Sequence, residues 1–282
     1  MSVHVARGLD DVLDNLASVS ETTILAGGTD LLVEINFGRQ RPRNILAIDR
    51  VGELKDQSRN GRVSMGALVT YTRMLETDVG SVALQEAART IGSPQIRNAA
   101  TIGGNLGTAS PAGDTLPVLA ALDATVLLRS RTASRRVPFG EFMTGPKKSV
   151  RRPDEVIVGA EWTDAGPAQT YMFAATRNAM AISIAGLALV VDRARRRVGV
   201  ALGSCGPTIL RAADAERFAG GLFDEAGWER ANEPAESAVR EFGRLVATAA
   251  KPIDDVRGTA AYRRHVLAVM GRRALTRVAA IA

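Results

Sequence analysis

Two pairs of adjacent glycines, in AGGTDLL (Ala26 to Leu32) and in TIGGN (Thr101 to Asn105), constrain this chain more than any other feature. Glycine reaches left-handed and crowded backbone conformations, so adjacent glycines let successive amide hydrogens turn into one concavity, a cradle for phosphate oxygens. The first pair follows TTIL, a short β-branched and aliphatic run that reads as a strand. The local order is therefore strand, glycine loop, then a helix at DLLVEI. Alone, GGT reads as a tight turn; two such loops closing on one group read as a pyrophosphate site. A charge-assisted hydrogen bond contributes roughly 1.5 to 3 kcal/mol net, so about four donors supply on the order of 6 to 12 kcal/mol before ordering costs. Neither loop holds the lysine of a Gly-Lys-Ser/Thr motif, and GGTDLL lacks the G-x-G-x-x-G spacing. This argues against ATP hydrolysis and a Rossmann NAD site. Thr29, Asp30, Thr101, Asn105, Thr108 and Ser110 add short polar groups that suit phosphate or ribityl hydroxyls, and Asp30 and Asp114 can accept from hydroxyls.

The surrounding pattern alternates helix and strand in the α/β manner. Leu9, Val12, Leu13 and Leu16 mark an amphipathic helix, NILAID a buried strand, and RVSMGALVTYTRML a strand or hairpin arm passing into a helix. Val82 to Ile91 reads as a helix stopped by Gly92 and Pro94. The next stretch, residues 95–114, is so rich in Gly, Ala, Ser and Asn that it reads as loop. TLPVLAALDA follows as a helix with Asp114 or Thr115 as N-cap, leading into the strand TVLLRS. DAGPAQ, Asp164 to Gln169, marks a boundary between domains at 1–165 and 166–282. Beyond it, MAISIAGLALVVD and VGVALGSCG form a long hairpin around RARRR. The remainder reads as helical, first at EAGWERANEPAESAVREFGRLVATA. The final helix, TAAYRRHVLAVMGRRALTRVAA, is expected to carry an apolar stripe of Tyr262, Val266, Val269 and Met270 among arginines.

Composition removes several classes of function. One cysteine, Cys205, and two histidines, His4 and His265, leave no disulfide framework, self-contained iron-sulfur cluster or ordinary zinc site on this chain. Cys205 reads as a small buried residue, His265 as a surface or interface residue, and Trp162 and Trp228 as packing residues. No Ser/His/Asp triad or carboxylate pair is placed by spacing, so no catalytic side chain is assigned. The net charge of +6 invites a nucleic-acid reading. Yet the arginine clusters, at Arg135, Arg151, Arg193 to Arg197, Arg263 and Arg272, are scattered and lack interleaved aromatics. They read as solvated faces, some meeting partner subunits. No apolar run reaches membrane-spanning length, and the expected location is cytoplasmic.

Four stretches carry a family resemblance: AGGTDLL, QIRNAATIGGNLGTASPAGDTLPVLAALDA, FGEFMTGPKKSVRRPDEVIVGAEW and DVRGTAAYRRHVLAVMGRRAL. In this order they resemble the FAD-binding medium subunits of the molybdenum hydroxylases, the xanthine dehydrogenase and carbon monoxide dehydrogenase family. The resemblance implies an α+β fold: a PCMH-type, vanillyl-alcohol-oxidase-like FAD-binding domain, then a small C-terminal domain of three-stranded antiparallel sheet with helices. It implies that Ile24, Leu25, Ala26, Gly27, Gly28, Thr29, Asp30 and Leu31 form one side of the FAD cradle. Thr101, Ile102, Gly103, Gly104 and Asn105 would form the other. Asp114 would sit at the ribityl or isoalloxazine end, and Ile157 would give an aliphatic contact. It further implies a large molybdopterin-binding partner subunit, a small partner with 2Fe-2S clusters, and a dimer of such heterotrimers, with electrons leaving through FAD. Met172 stands where many relatives have lysine, with Arg177 the nearest cation, and Ile91 where some have an aromatic. The acceptor, whether NAD, oxygen or another carrier, therefore stays open. The alternatives are a stand-alone flavin reductase of the same fold and a basic nucleotide- or nucleic-acid-binding module without redox activity.

Overall fold

Thr22–Leu25, the run before the first glycine pair, is an outer strand of a three-stranded parallel sheet. Asn44–Ala47 is its middle strand and Ser2–Val5 its other edge. The helix Leu9–Ser18 covers one face, because its period places Val12, Leu13 and Leu16 together against Leu46 and Ile48. Each such buried aliphatic side chain contributes roughly 1.5 to 3 kcal/mol relative to exposure. This computed structural model describes residues 1–231 and 233–281.

A five-stranded antiparallel sheet follows, in the order Gln57–Asn60, Arg62–Gly66, Val156–Thr163, Thr125–Arg129, Ser134–Pro138. Its central strand shifts register between Ile157 and Gly159. A Cβ at Gly159 would lie 2.4 Å from the Met65 carbonyl oxygen, so the close pairing there requires glycine. Helices Tyr71–Glu76, Val82–Thr90 and Thr115–Ala121 bury Met74, Leu84, Ala87, Leu116 and Leu119 with Val126, Leu128 and Trp162 in the largest core. That core also takes in Tyr171, Ala188, Val190 and Ala201.

Most of the stretch expected to be loop is instead two short helices, Pro94–Ala99 and Ile102–Thr108, while residues 109–114 are turn and coil as expected. Each begins at a hydroxyl cap: Ser93 accepts from Ile96 N, with Pro94 in the first turn, and Thr101 accepts from Gly104 N. The caps, and burial of Ile102 and Leu106, outweigh the poor helix propensity of the glycines. Asp114 stands at the N-terminus of Thr115–Ala121 without capping it; its backbone is already helical and its side chain makes no cap bond.

The last sheet is antiparallel: Gln169–Ala174, Ala185–Asp192, Arg197–Gly203 and a two-residue strand Leu210–Arg211, which makes four strands rather than three. Helices Ala213–Ala226, Glu236–Ala249 and Ala260–Ala279 pack on it through Phe223, Phe242, Leu267 and Leu275. The long helical stretch expected across EAGWERANEP is broken after Ala226, where Gly227 takes φ +92°. The final helix turns Met270 inward as expected, in a stripe with Leu267, Ala274 and Val278, while Val266 and Val269 are only half-buried and Tyr262 is exposed. Arg263 is in that stripe, 2% exposed, contrary to the solvated reading. It donates to Ile184 O (2.8 Å), Ser204 O (2.6 Å) and Asp255 Oδ1 (2.6 Å), which is what makes burying the cation tolerable. The guanidinium beside Asp255 in turn helps hold its carboxyl far below the usual range, behind the larger effect of Arg257.

Candidate functional site

After Leu25 the chain leaves the parallel sheet and turns through Ala26 to Asp30 before the six-residue helix Leu31–Asn36. Gly28 holds φ +73°, in the left-handed region, and an added Cβ would lie 2.9 Å from Leu32 Cδ1. At Gly27 a Cβ would lie 1.7 Å from the Ala99 carbonyl oxygen. The turn is thereby pressed against the end of helix Pro94–Ala99, next to Thr101, and the two glycine motifs meet in space. Thr108 Oγ1 donates to Asp30 Oδ2 at 3.3 Å across the same junction. The amides of Gly27, Gly28, Thr29 and Asp30 donate to no acceptor among the described residues. Four consecutive free donors in a partly buried turn form a cradle for an anion.

The second motif is built differently. Ile102 N donates to Val69 O (3.2 Å), Gly103 N to Ala67 O (2.9 Å), Gly104 N to Thr101 Oγ1 (3.0 Å) and Asn105 N to Thr101 O (3.0 Å). The amides of Ile102 to Asn105 are therefore all engaged within the protein. A Cβ at Gly103 would lie 2.5 Å from Ala67 Cβ, so this glycine serves close packing of the helix on the segment after Gly66. Asn105 Oδ1 accepts from Thr115 Oγ1 at 2.7 Å, and Ser110 Oγ accepts from Ala112 N at 3.2 Å. Ile157 is buried under this helix, its Cδ1 3.8 Å from where a Cβ of Gly107 would stand. Ile24 and Leu25 lie in the strand that delivers the first turn, and Leu31 opens the helix that leaves it.

Asp114 reaches across to the second half of the chain. Its Oδ1 accepts from Tyr171 Oη at 2.7 Å and from Ser183 Oγ, while Oδ2 has a single long contact, 3.4 Å from Thr90 Oγ1. Burial pushes its carboxyl pKa up, and the hydroxyls of Ser183, Tyr171 and Thr90 pull it part of the way back. Tyr171 is itself pushed well above the usual tyrosine range by burial and by the neighbouring Asp114. Tyr171, Ser183 and Thr90 were not singled out by the sequence reading, since a lone tyrosine in a strand and a lone serine in a loop carry no spacing signal. Arg177 turns back on its own loop, with Nε 3.1 Å from Met180 O, and Met172 packs on the second core. Cys205 is fully buried, with its thiol pushed up to about 12 by burial. Trp162 and Trp228 are buried in the cores. Among the described residues no group of three or more His, Cys, Asp or Glu side chains could hold a metal ion, and no helix is long and apolar enough to cross a membrane.

A parallel three-stranded sheet feeding a lysine-free glycine cradle, backed by a five-stranded antiparallel sheet, defines a dinucleotide-binding protein outside the Rossmann and P-loop classes. Residues 1–161 match the family described as the FAD-binding domain in molybdopterin dehydrogenase, and residues 169–278 match the CO dehydrogenase flavoprotein C-terminal domain. The chain belongs to this family of FAD-binding subunits. It is 32% identical over 282 residues to the glyceraldehyde dehydrogenase medium chain of Sulfolobus acidocaldarius, a match covering 97% of this chain and 96% of that one. It is 37% identical over 184 residues to the nicotinate dehydrogenase FAD-subunit of Eubacterium barkeri, covering 61% of this chain and 62% of that relative. Its fold superposes with a TM-score of 0.88 on reconstituted CO dehydrogenase from Oligotropha carboxidovorans, at 22% identity, covering all of this chain and 98% of the other.

Proposed function

We propose that this chain is the FAD-binding subunit of a heteromeric molybdenum-containing dehydrogenase, taking electrons from iron-sulfur clusters on a partner and passing them from FAD to an external acceptor. The row of free amides at Gly27 to Asp30, pressed against the second glycine motif, carries the reading. These amides would hold the pyrophosphate, with Ile24, Leu25, Ala26 and Leu31 shaping the turn. Thr101, Ile102, Gly103, Gly104 and Asn105 would form the opposing wall, with Thr108 and Ser110 beside it. In this reading that wall acts chiefly through shape and side chains, since the amides of Ile102 to Asn105 are already bonded. Asp114 would accept from a flavin hydroxyl, and Ile157 would support the apolar side. When bound, the flavin supplies the electron-accepting and electron-donating chemistry; this chain binds, orients and shields it.

One cysteine cannot ligate a cluster set, so 2Fe-2S clusters would be carried by a small subunit and molybdopterin by a large one. We place the FAD-binding domain at 1–165 and the C-terminal domain at 166–282, in a cytoplasmic complex of two heterotrimers. The exposed apolar side chains Met180, Ile182, Ile253 and Val256 give this chain surface to cover in such an assembly. The test is the visible spectrum of the purified chain with and without added FAD, with mass analysis of any released cofactor and sizing of the co-purified complex. A flavin spectrum with FAD released is expected. A chain that stays colourless with FAD and with the partner subunits present overturns the reading.

A further inference from the structure

The Asp114 carboxylate is held unusually for a half-buried acid. Among the described residues it takes part in no salt bridge, and the groups bonded to it are the hydroxyls of Tyr171, Ser183 and Thr90. The two on Oδ1 come from the far side of the 164–169 connection: Tyr171 from the strand Gln169–Ala174, and Ser183 from the loop before Ala185–Asp192. Both residues are buried, Tyr171 at 5% exposure and Ser183 at 2%. Tyr171 is fixed from several directions. Its amide donates to Glu86 Oε2 at 2.7 Å, and its ring stacks on Phe173 with 5° between planes. Its hydroxyl also lies 2.9 Å from where a Cβ of Gly186 would stand, so the tyrosine occupies a slot cut for it. The consequence is an asymmetric carboxylate. Oδ1 is saturated by two protein donors, and Oδ2, with one long contact, keeps its lone pairs for a further donor. The other ionisable groups facing this cluster are Tyr71 and, behind Tyr171, Cys205. Both are pushed up by burial, so neither supplies a compensating charge.

We propose that Tyr171 and Ser183 are positioning residues that aim Asp114 Oδ2 at a hydroxyl of the bound flavin, so that the second half of the chain sets how firmly the first half holds its cofactor. This rests on the flavin reading above and assigns to the strand–loop pair of the second half a part in binding that the glycine motifs do not account for. An ionised Asp114 accepts from the ligand hydroxyl; a protonated one accepts more weakly. FAD affinity is therefore full above the pKa of Asp114 in the folded chain and falls as pH drops through it. Removing either hydroxyl donor withdraws stabilisation of the anion, raises that pKa further, and moves the fall in affinity to higher pH.

The experiment is FAD titration of the full chain by flavin fluorescence from about pH 5 to about pH 9, for wild type, Tyr171→Phe, Ser183→Ala and Asp114→Asn, with melting temperatures alongside. In Tyr171→Phe and Ser183→Ala the midpoint is expected to rise by about one pH unit, with affinity at high pH within about tenfold of wild type. Asp114→Asn is expected to bind weakly with a flat profile. Ser183→Ala removes only one oxygen from a loop, so it carries the test if Tyr171→Phe loses its fold. Wild-type and variant profiles that superimpose overturn the positioning role and leave the flavin reading standing. A wild-type chain that binds no FAD at any pH overturns both.

Discussion

The two glycine motifs share a composition and differ in what their amides do. At Gly27 to Asp30 the donors are free, and the glycines exist for the turn: one has φ +73° and the other touches a carbonyl across the junction. At Ile102 to Asn105 every donor is already bonded, the backbone is helical, and Gly103 exists for packing on Ala67. Paired glycines are thus two different devices, a turn that leaves a row of amides free and a close-packed helix start. Only the destination of each N–H distinguishes them.

This contrast can be broken by experiment. Gly27→Ala drives a methyl group into the Ala99 carbonyl and displaces the cradle. With two or more of the four phosphate bonds lost, FAD affinity should fall by at least about a hundredfold in a fluorescence titration. An equal loss from Gly104→Ala, which meets only Thr101 Oγ1 at 3.1 Å, would erase the distinction. Amide hydrogen exchange should sharpen it next. Gly27 to Asp30 should exchange fast in the apo chain and slow by about tenfold or more with FAD, while Ile102 to Asn105 should be protected already and change little. Gly103→Ala should lower stability by about 1 to 3 kcal/mol through overpacking, read as a denaturation midpoint, with a smaller effect on FAD affinity than Gly27→Ala. The smallest effect belongs to Thr101→Ala, which removes the cap on Gly104 N and should cost about 1 kcal/mol of stability.

Much of the fold was legible because it follows local periodicity. The Leu9–Ser18 helix shows its buried face in the spacing of Val12, Leu13 and Leu16, the Thr22–Leu25 strand shows in its β-branched run, and the Ala185–Asp192 strand, buried at every position, shows as a continuous apolar run. In residues 95–108 the glycine and alanine content masks two visible signals, Ser93-Pro94 and Thr101, whose hydroxyls start helices, while residues 109–114 are the loop that this content implies. The first glycine turn was legible as a motif, but the engagement of the second motif's amides depends on Val69 and Ala67, which sequence spacing does not place beside it. Asp114 was legible as an acid shortly after the second glycine motif, while its partners Tyr171 and Ser183 are tertiary neighbours with no local signature. Arg263 was misread for a related reason: an arginine among arginines looks solvated until the Ile184 and Ser204 carbonyls and Asp255 close around it.

The contact of Gly27 with Ala99 has a consequence for how the chain comes to maturity. Joining them closes a segment of roughly seventy residues, an entropic cost that must be met before the site rewards it, so this junction belongs to late, non-local folding. During synthesis the first glycine turn emerges long before its wall, and Tyr171 and Ser183 later still. A ligand that binds only the finished junction stabilises it by mass action, by about 2.7 kcal/mol at a hundred times its dissociation constant. FAD supply during translation should therefore set how much of the chain survives proteolysis, making cofactor availability a control on the abundance of this protein.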